Sequence, residues 1–250
     1  MTAPFGRRIA AVAERRMIGP YVVFEIEDSA LPEPGQFYML AAVEEWGGGA
    51  SDRPFLPRAI SALSARDGRV GFLLEDVGPG THRLCALQAG KAVHVVGPLG
   101  HGFRRPTEDR STILVGGGVG IPPLAFYQER HGGAALLGFR DADHARAAAL
   151  FANPTIATDD GSQGHPGPVT DLLLDRLEHD ETVEILSCGP PAMLEAVGAL
   201  ARSRELAAQL ALEAPMACGF GACFGCVVET IDGYQRVCVD GPVFDAAVLV

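Results

Sequence analysis

Four cysteines near the C-terminus, Cys218, Cys223, Cys226 and Cys238, follow the spacing C-x4-C-x2-C-x11-C. Three stand in one glycine-rich loop, MACGFGACFGC, and the fourth lies beyond a short strand-like stretch. Whatever fold the chain adopts must wrap that loop around what the thiols hold in common. The spacing is close to the plant-type pattern for a [2Fe–2S] cluster, in which four thiolates saturate two irons. Gly219, Gly221 and Gly225 suit such a loop, because glycine reaches positive φ cheaply and lets main chain approach closely. A structural zinc site and a disulfide pair are the bland alternatives. Zinc usually takes two CxxC-like pairs held apart, and here Cys223 and Cys226 form the one such pair. The spacing therefore predicts a centre that moves single electrons.

The remaining chain is long enough for two modest domains beside this appendage, at 250 residues in all. Apolar residues make up 48% of it, enough for real cores, which excludes a disordered protein. A net charge of −11 argues against a nucleic-acid backbone or an anionic membrane as partner. The early apolar run IAAVA is cut by Glu14, Arg15 and Arg16, too short for a secretory signal. No stretch approaches the length of a transmembrane helix. A cytoplasmic location is expected, and a reducing compartment leaves thiols free to bind metal.

Hydrophobic period divides the chain. YVVFEIED (21–28), QFYMLAAV (36–43), RVGFLLEDV (69–77) and KAVHVVGPLG (91–100) read as short strands punctuated by turns, the last ending in a Pro-Gly turn. Such spacing predicts a small antiparallel β-barrel. HGFRRPTEDR (101–110) reads as a linker. Beyond it STILVGGGVG (111–120), AALLGF (134–139), ALFAN (149–153) and VEILSCG (183–189) read as buried strands with helices between, PPLAFYQER (122–130) among them. That alternation predicts a Rossmann-like parallel α/β domain. Pro190 and Pro191 open a last helix whose Met193, Leu194, Val197, Leu200 and Ala201 follow helical spacing. The expected domains are residues 1–103, 108–210 and 211–250.

Candidate binding residues fall on these elements. Arg58, Ala59, Ile60 and Ser61 stand on a barrel strand, where a guanidinium can neutralise a pyrophosphate and a serine can bond flavin ring atoms. A surface arginine beside a strand is the plainer reading. In GPGTHRL, Gly78 and Gly80 shape a turn and Thr81 is expected to cap a helix that offers N–H groups to a second phosphate. A plain capped helix is the alternative. The run Gly116, Gly117, Gly118, Gly120 departs from G-x-G-x-x-G but still follows a strand and opens a helix, the context a dinucleotide site needs. Arg140 and Asp141, about twenty residues on, leave NAD and NADP both open. Cys188 ends a predicted parallel strand, where it either faces a nicotinamide or is a buried thiol. Asp159, Asp160 and Gly161 form a turn that touches cofactor or merely caps a strand. Cys85 reads as core, and the seven histidines as surface or turn residues. No carboxylate pair or nucleophile–base arrangement stands out, as suits a chain whose cofactors supply the chemistry.

In combination, RAIS and GPGT in a barrel, GGGVGIPP and SCGPPAM in an α/β domain, and MACGFGACFGC with RVCVDGPVF resemble the ferredoxin–NADP reductase superfamily. Within it they look most like the electron-transfer subunits of type B, NAD-dependent dihydroorotate dehydrogenase, over essentially the whole chain. The resemblance implies FAD held by Arg58 to Ser61, by Leu73, Leu74 and Glu75, and by Gly80 and Thr81. It implies a [2Fe–2S] cluster on the four cysteines, NAD as co-substrate, and a partner catalytic subunit carrying FMN, two of each in a heterotetramer. Electrons would pass from that FMN through cluster and FAD to NAD in pyrimidine biosynthesis. Subunits of NADH-dependent ferredoxin–NADP oxidoreductases and of hydrogenases share this layout. A zinc-stabilised binding protein without redox activity shares only the cysteines.

Overall fold

The computed structural model describes residues 6–44, 46, 55–106, 109–179 and 182–250. Residues 1, 107 and 108, at the expected domain ends and in the expected linker, lie outside that set. Six antiparallel strands close the N-terminal barrel: β1 (Arg8–Ile18), β2 (Tyr21–Glu27), β3 (Phe37–Ala42), β4 (Arg58–Arg66), β5 (Arg69–Leu74) and β6 (Ala92–Leu99), in the order β1-β2-β5-β4-β3-β6. Strict alternation on β6 turns Val93 and Val95 into the barrel. β6 also runs on through Pro98 to Leu99, past the expected turn. β1 went unread in the sequence because Glu14, Arg15 and Arg16 interrupt its apolar run; Ala10 and Val12 are buried, and Arg15 extends its Nε to the Cys85 carbonyl at 3.0 Å. Helix α1 (Pro79–Cys85) follows β5, and the buried Cys85 thiol is pushed up to about 11 by burial, as a core position requires.

The second sheet has seven strands in the order β10-β9-β8-β7-β11-β12-β15. Its members are β7 (Ser111–Gly117), β8 (Ala134–Phe139), β9 (Thr155–Thr158), β10 (His165–Pro166), β11 (Val183–Cys188), β12 (Ala207–Ala211) and β15 (Val243–Asp245). All pair in parallel except β15, which runs antiparallel to β12 at the edge. Helices α2 (Pro122–His131), α3 (Val169–Leu177) and α4 (Pro191–Ser203) connect the strands. On α4, Leu194, Val197 and Ala201 are buried, as helical spacing required. ALFAN is not a strand. His144–Leu150 form a 3-10 turn that buries Ala145, Ala147 and Ala148, and Asn153 takes φ 49 before the chain re-extends as β9.

The linker is pinned at Phe103 and Arg104. Phe103 packs edge-on to Tyr127 at 6.1 Å, and the Arg104 N–H donates to Gln209 Oε1 at 2.8 Å. The cysteine region ends in the hairpin of β13 (Val227–Thr230) and β14 (Gly233–Arg236), then returns to the sheet as β15. A boundary at 210/211 therefore cuts through β12, and residues 243–246 complete the α/β core.

Period two on β3 explains how the parts join. Tyr38 and Leu40 point into the barrel, whereas Phe37 and Met39 face outward and pack with Cys226, Val237, Cys238 and Phe244. Each such burial contributes about 1.5–3 kcal/mol. The barrel wall is thus also the floor of the cysteine segment. Among the described residues, no helix is long and apolar enough to cross a membrane.

Candidate functional site

Two cavities lie between the barrel and the α/β sheet. The first is a slot of about 210 Å³ whose walls come from three parts of the chain. The barrel supplies Ala59, Ile60, Ser61, Leu73, Leu74, Glu75 and Thr81; the sheet supplies Gly120; the cysteine segment supplies Leu212, Glu213, Ala214 and Met216. Arg58 lies just outside, its guanidinium stacked against Gly80 so closely that a methyl there would collide with it. The RAIS and GPGT elements therefore meet, and a cation sits directly against the Gly80 backbone. Thr81 is not the helix cap. It sits one turn inside α1, at the third position, and its Oγ1 accepts the Val77 and Gly78 N–H groups at 3.0 Å each. Locking this turn to its own hydroxyl holds the backbone against Arg58.

Glu213 stands where the slot meets a neighbouring apolar pocket under α4. Its side chain is open to both cavities yet ringed by protein, and burial lifts its carboxyl above the usual carboxylate range. Burial, with the Glu213 charge behind it, also pushes the Cys188 thiol far up. Cys188 is 3% exposed and packs beneath the cleft with Ile121, Leu186 and Ala211 rather than lining it. The following residue, Gly189, makes the close approach instead: its backbone lies against Gly117 and Gly120.

The second cavity, about 410 Å³, opens outside the carboxyl ends of β7, β8, β9 and β11. β7 was followed by β8 on one side and β11 on the other, so this is the sheet's switch point, where ligands of open α/β sheets bind. Gly117 and Gly118 line it; Gly118 has φ +53 and open space above it. Gly116 lies below, packed against Ile121, Leu124 and Leu137, and Gly120 belongs to the slot. The glycine run thus serves two cavities. The N-terminal turns of α3 and α4 bring Val169, Thr170, Ala192 and Met193 to the same cleft.

Tyr21, His144 and Thr170 are among the cleft residues that escaped the sequence. His144, expected at the surface, is half-buried edge-on to Tyr21 at 5.6 Å, with Nδ1 2.7 Å from Asp141 Oδ1. Glu75 Oε1 lies 3.7 Å from both His144 Nε2 and Arg140 Nη2, so one carboxylate ties the barrel to the α/β domain. Burial, then Glu75, drives the Tyr21 phenol far up. Apart from the local His144–Asp141 pair, these contacts join residues more than fifty positions apart, which no local motif encodes.

The cysteines are arranged as two pairs. Cys218 meets the Cys223 side chain, and Cys226 meets Cys238. Cys226 and Cys238 are buried, Cys218 half-buried and Cys223 exposed. Burial raises the Cys218 thiol, but the Phe220, Cys223 and Ala222 N–H groups and the Cys223 side chain outweigh it and bring it down to about 6. Cys238 is pushed up to about 12 by burial, the Cys226 side chain and the Cys226 charge. Gly219 and Gly221 take φ +79 and +87 as expected; Gly225 does not, and Phe224 carries the left-handed turn at φ 56. Among the described residues no group of three or more His, Cys, Asp or Glu could hold a single metal ion. Sulfurs set two and two suit a centre with two irons, each taking two thiolates. The N–H groups turned on Cys218 favour its thiolate, the form that holds iron.

Residues 213–250 match the iron-sulfur cluster binding domain of dihydroorotate dehydrogenase B. Over 233 residues, covering 86% of this chain and 85% of the relative, the sequence is 39% identical to the dihydroorotate dehydrogenase B (NAD(+)) electron transfer subunit of Shouchella clausii. The subunit of that name from Geobacillus kaustophilus is 36% identical, with 98% of this chain and 99% of the relative covered. A solved chain of an NADH-dependent reduced ferredoxin-NADP oxidoreductase superposes with TM-score 0.80 at 25% identity, covering 98% of this chain and 91% of that one. A ferredoxin NADP+ reductase from Neisseria gonorrhoeae with bound FAD and NADP shares the fold at TM-score 0.61 and 18% identity, covering 79% and 91%.

Proposed function

Because the chain belongs to the electron-transfer subunits of dihydroorotate dehydrogenase B, we propose that it links a dihydroorotate-oxidising catalytic subunit to NAD in pyrimidine biosynthesis. The partner carries FMN, two copies of each subunit assemble, and the complex works in the cytoplasm. FAD, a [2Fe–2S] cluster and NAD serve this chain; when bound, the flavin exchanges hydride with nicotinamide and the cluster exchanges single electrons.

The chain's own residues divide the work. Arg58 beside Gly80 offers a guanidinium fork to the flavin diphosphate. Ile60, Ser61, Leu73 and Leu74 form the seat for the ring system, and Leu212, Ala214 and Met216 close its far side and exclude water. Gly117, Gly118 and Thr170 receive the dinucleotide, with Met193 packed against Gly117 and Gly189. Cys226 and Cys238 anchor the cluster against the barrel, while Cys223 is exposed, as are Phe220 and Phe224 in the same loop. That apolar rim is where the catalytic subunit docks.

One observation carries the reading. Met216 walls the slot and stands two residues before Cys218, so flavin seat and cluster loop are one continuous piece of chain. Co-expression with the catalytic subunit tests it: the purified complex should reduce NAD+ when given dihydroorotate, and the Cys223→Ser complex should not. Equal turnover in both complexes would refute the route. The likeness to the NADH-dependent ferredoxin-NADP oxidoreductase chain supports a second reading, and stronger reduction by NADPH than by NADH would favour it.

A further inference from the structure

The turn after β9 is held to the end of β8 by an unusual density of bonds. Asp159 N–H donates to Phe139 O at 3.0 Å, Asp160 N–H to Arg140 O at 3.3 Å, and Gly161 N–H to Thr158 O at 3.0 Å. Ser162 donates its N–H and its hydroxyl to Asp160 Oδ1 at 2.9 and 2.6 Å, while its Oγ accepts the Ala142 N–H at 2.8 Å. Thr158 Oγ1 accepts the Gln163 N–H at 3.0 Å. These bonds consume the Asp160 carboxylate and hold it in the ionised form, its acidity raised by Ser162.

Asp141, the acid at the spacing expected for a ribose contact, is also consumed. Its Oδ1 accepts the His144 N–H at 3.0 Å and faces His144 Nδ1 at 2.7 Å. Asp159 is different: it lines the cleft, and among the described residues its carboxylate has no hydrogen-bond or ion-pair partner. The one arginine or lysine lining the cleft, Arg140, is drawn to Glu75, Asp141 and His144. A 2′-phosphate entering here would meet fixed negative charge and an arginine already engaged. A ribose 2′-hydroxyl would meet a free acceptor on a rigid turn.

We infer that Asp159 is the residue by which this chain takes a dinucleotide with a free 2′-hydroxyl and turns away its 2′-phosphorylated counterpart. The inference rests on reading the cleft as the dinucleotide site. Attraction and rejection use one group: the carboxylate accepts the hydroxyl and repels the phosphate. A charge-assisted hydrogen bond lost or gained here corresponds to about ten- to a hundredfold in affinity.

Calorimetric titration of the FAD-loaded chain with ADP-ribose and with 2′-phospho-ADP-ribose reads this without any electron transfer. The parent should bind ADP-ribose at least about tenfold more tightly. Asp159→Ser and the near-isosteric Asp159→Asn should bring the two affinities to within about threefold, with the flavin spectrum unchanged. A parental preference that persists in both variants, or a parent without preference, overturns the assignment of Asp159. A parent that binds neither fragment removes the cleft itself as the dinucleotide site, and Asp159 with it. Failure of dihydroorotate-driven turnover with the fragment preference intact would instead count against the partner alone.

Discussion

Gly219→Ala should unseat the cysteine loop from the barrel. Gly219 is buried at φ +79, and a methyl built there meets Met39 near the root of its side chain and comes within 3.2 Å of Leu99 Cδ1. Met39 is 1% exposed and held in β3, so it cannot swing clear. The left-handed backbone costs an alanine about 1–2 kcal/mol, and overpacking adds about 1–3 kcal/mol. Together these give about 2–5 kcal/mol, or a melting temperature lower by at least about 4 °C. Because the strain sits in the loop, iron should be lost before flavin. Gly225→Ala is the internal control: its φ is not left-handed, and an added methyl meets only Cys223 Sγ at 3.5 Å, an ordinary contact. Iron per chain and thermal melts of both variants, purified without oxygen, provide the readout. If Gly219→Ala keeps its iron and melts within about 1 °C of the parent, the loop is not seated on β3 as described.

Cys223→Ser should abolish iron binding while FAD stays, because Cys223 is at the exposed tip and the slot walls are formed elsewhere; loss of flavin in parallel would contradict that separation. Gly120→Ala drives a methyl into the Gly189 backbone, which cannot rotate away, and should cost about 1–3 kcal/mol and weaken FAD retention by gel filtration. Glu213→Gln addresses pH. A carboxyl raised by burial holds its proton in the native state where the unfolded chain releases it, so its contribution is present in acid and is lost as pH rises. The variant should melt higher than the parent at pH 8 and equally at pH 4; a gain confined to acid would refute the sign.

Locally encoded features were legible in the sequence. RAIS, GPGT and GGGVG announce themselves because each is a run of a few adjacent residues, and the structure brings Arg58 to Gly80 and Gly117 to the switch point. Charges hid β1, since Glu14 and Arg16 are tolerated on its outer face. ALFAN misled because its Leu150 and Phe151 pack on the core from the end of a 3-10 turn, and burial alone does not distinguish strand from helix. Phe224 shows the opposite failure, a large residue in the left-handed conformation that glycine was expected to fill. Tyr21, His144 and Glu75 converge through tertiary packing, as do Leu212 to Met216 on the slot, and spacing carries no trace of either.

Electron paramagnetic resonance of the isolated, FAD-loaded chain after anaerobic addition of NADH tests the central claim most directly. If the cysteine loop and the flavin slot form one conduit, a paramagnetic signal of a reduced two-iron centre should appear, with two irons and two acid-labile sulfides per chain. Bleaching of the flavin with no such signal, or zinc in place of iron, would contradict it.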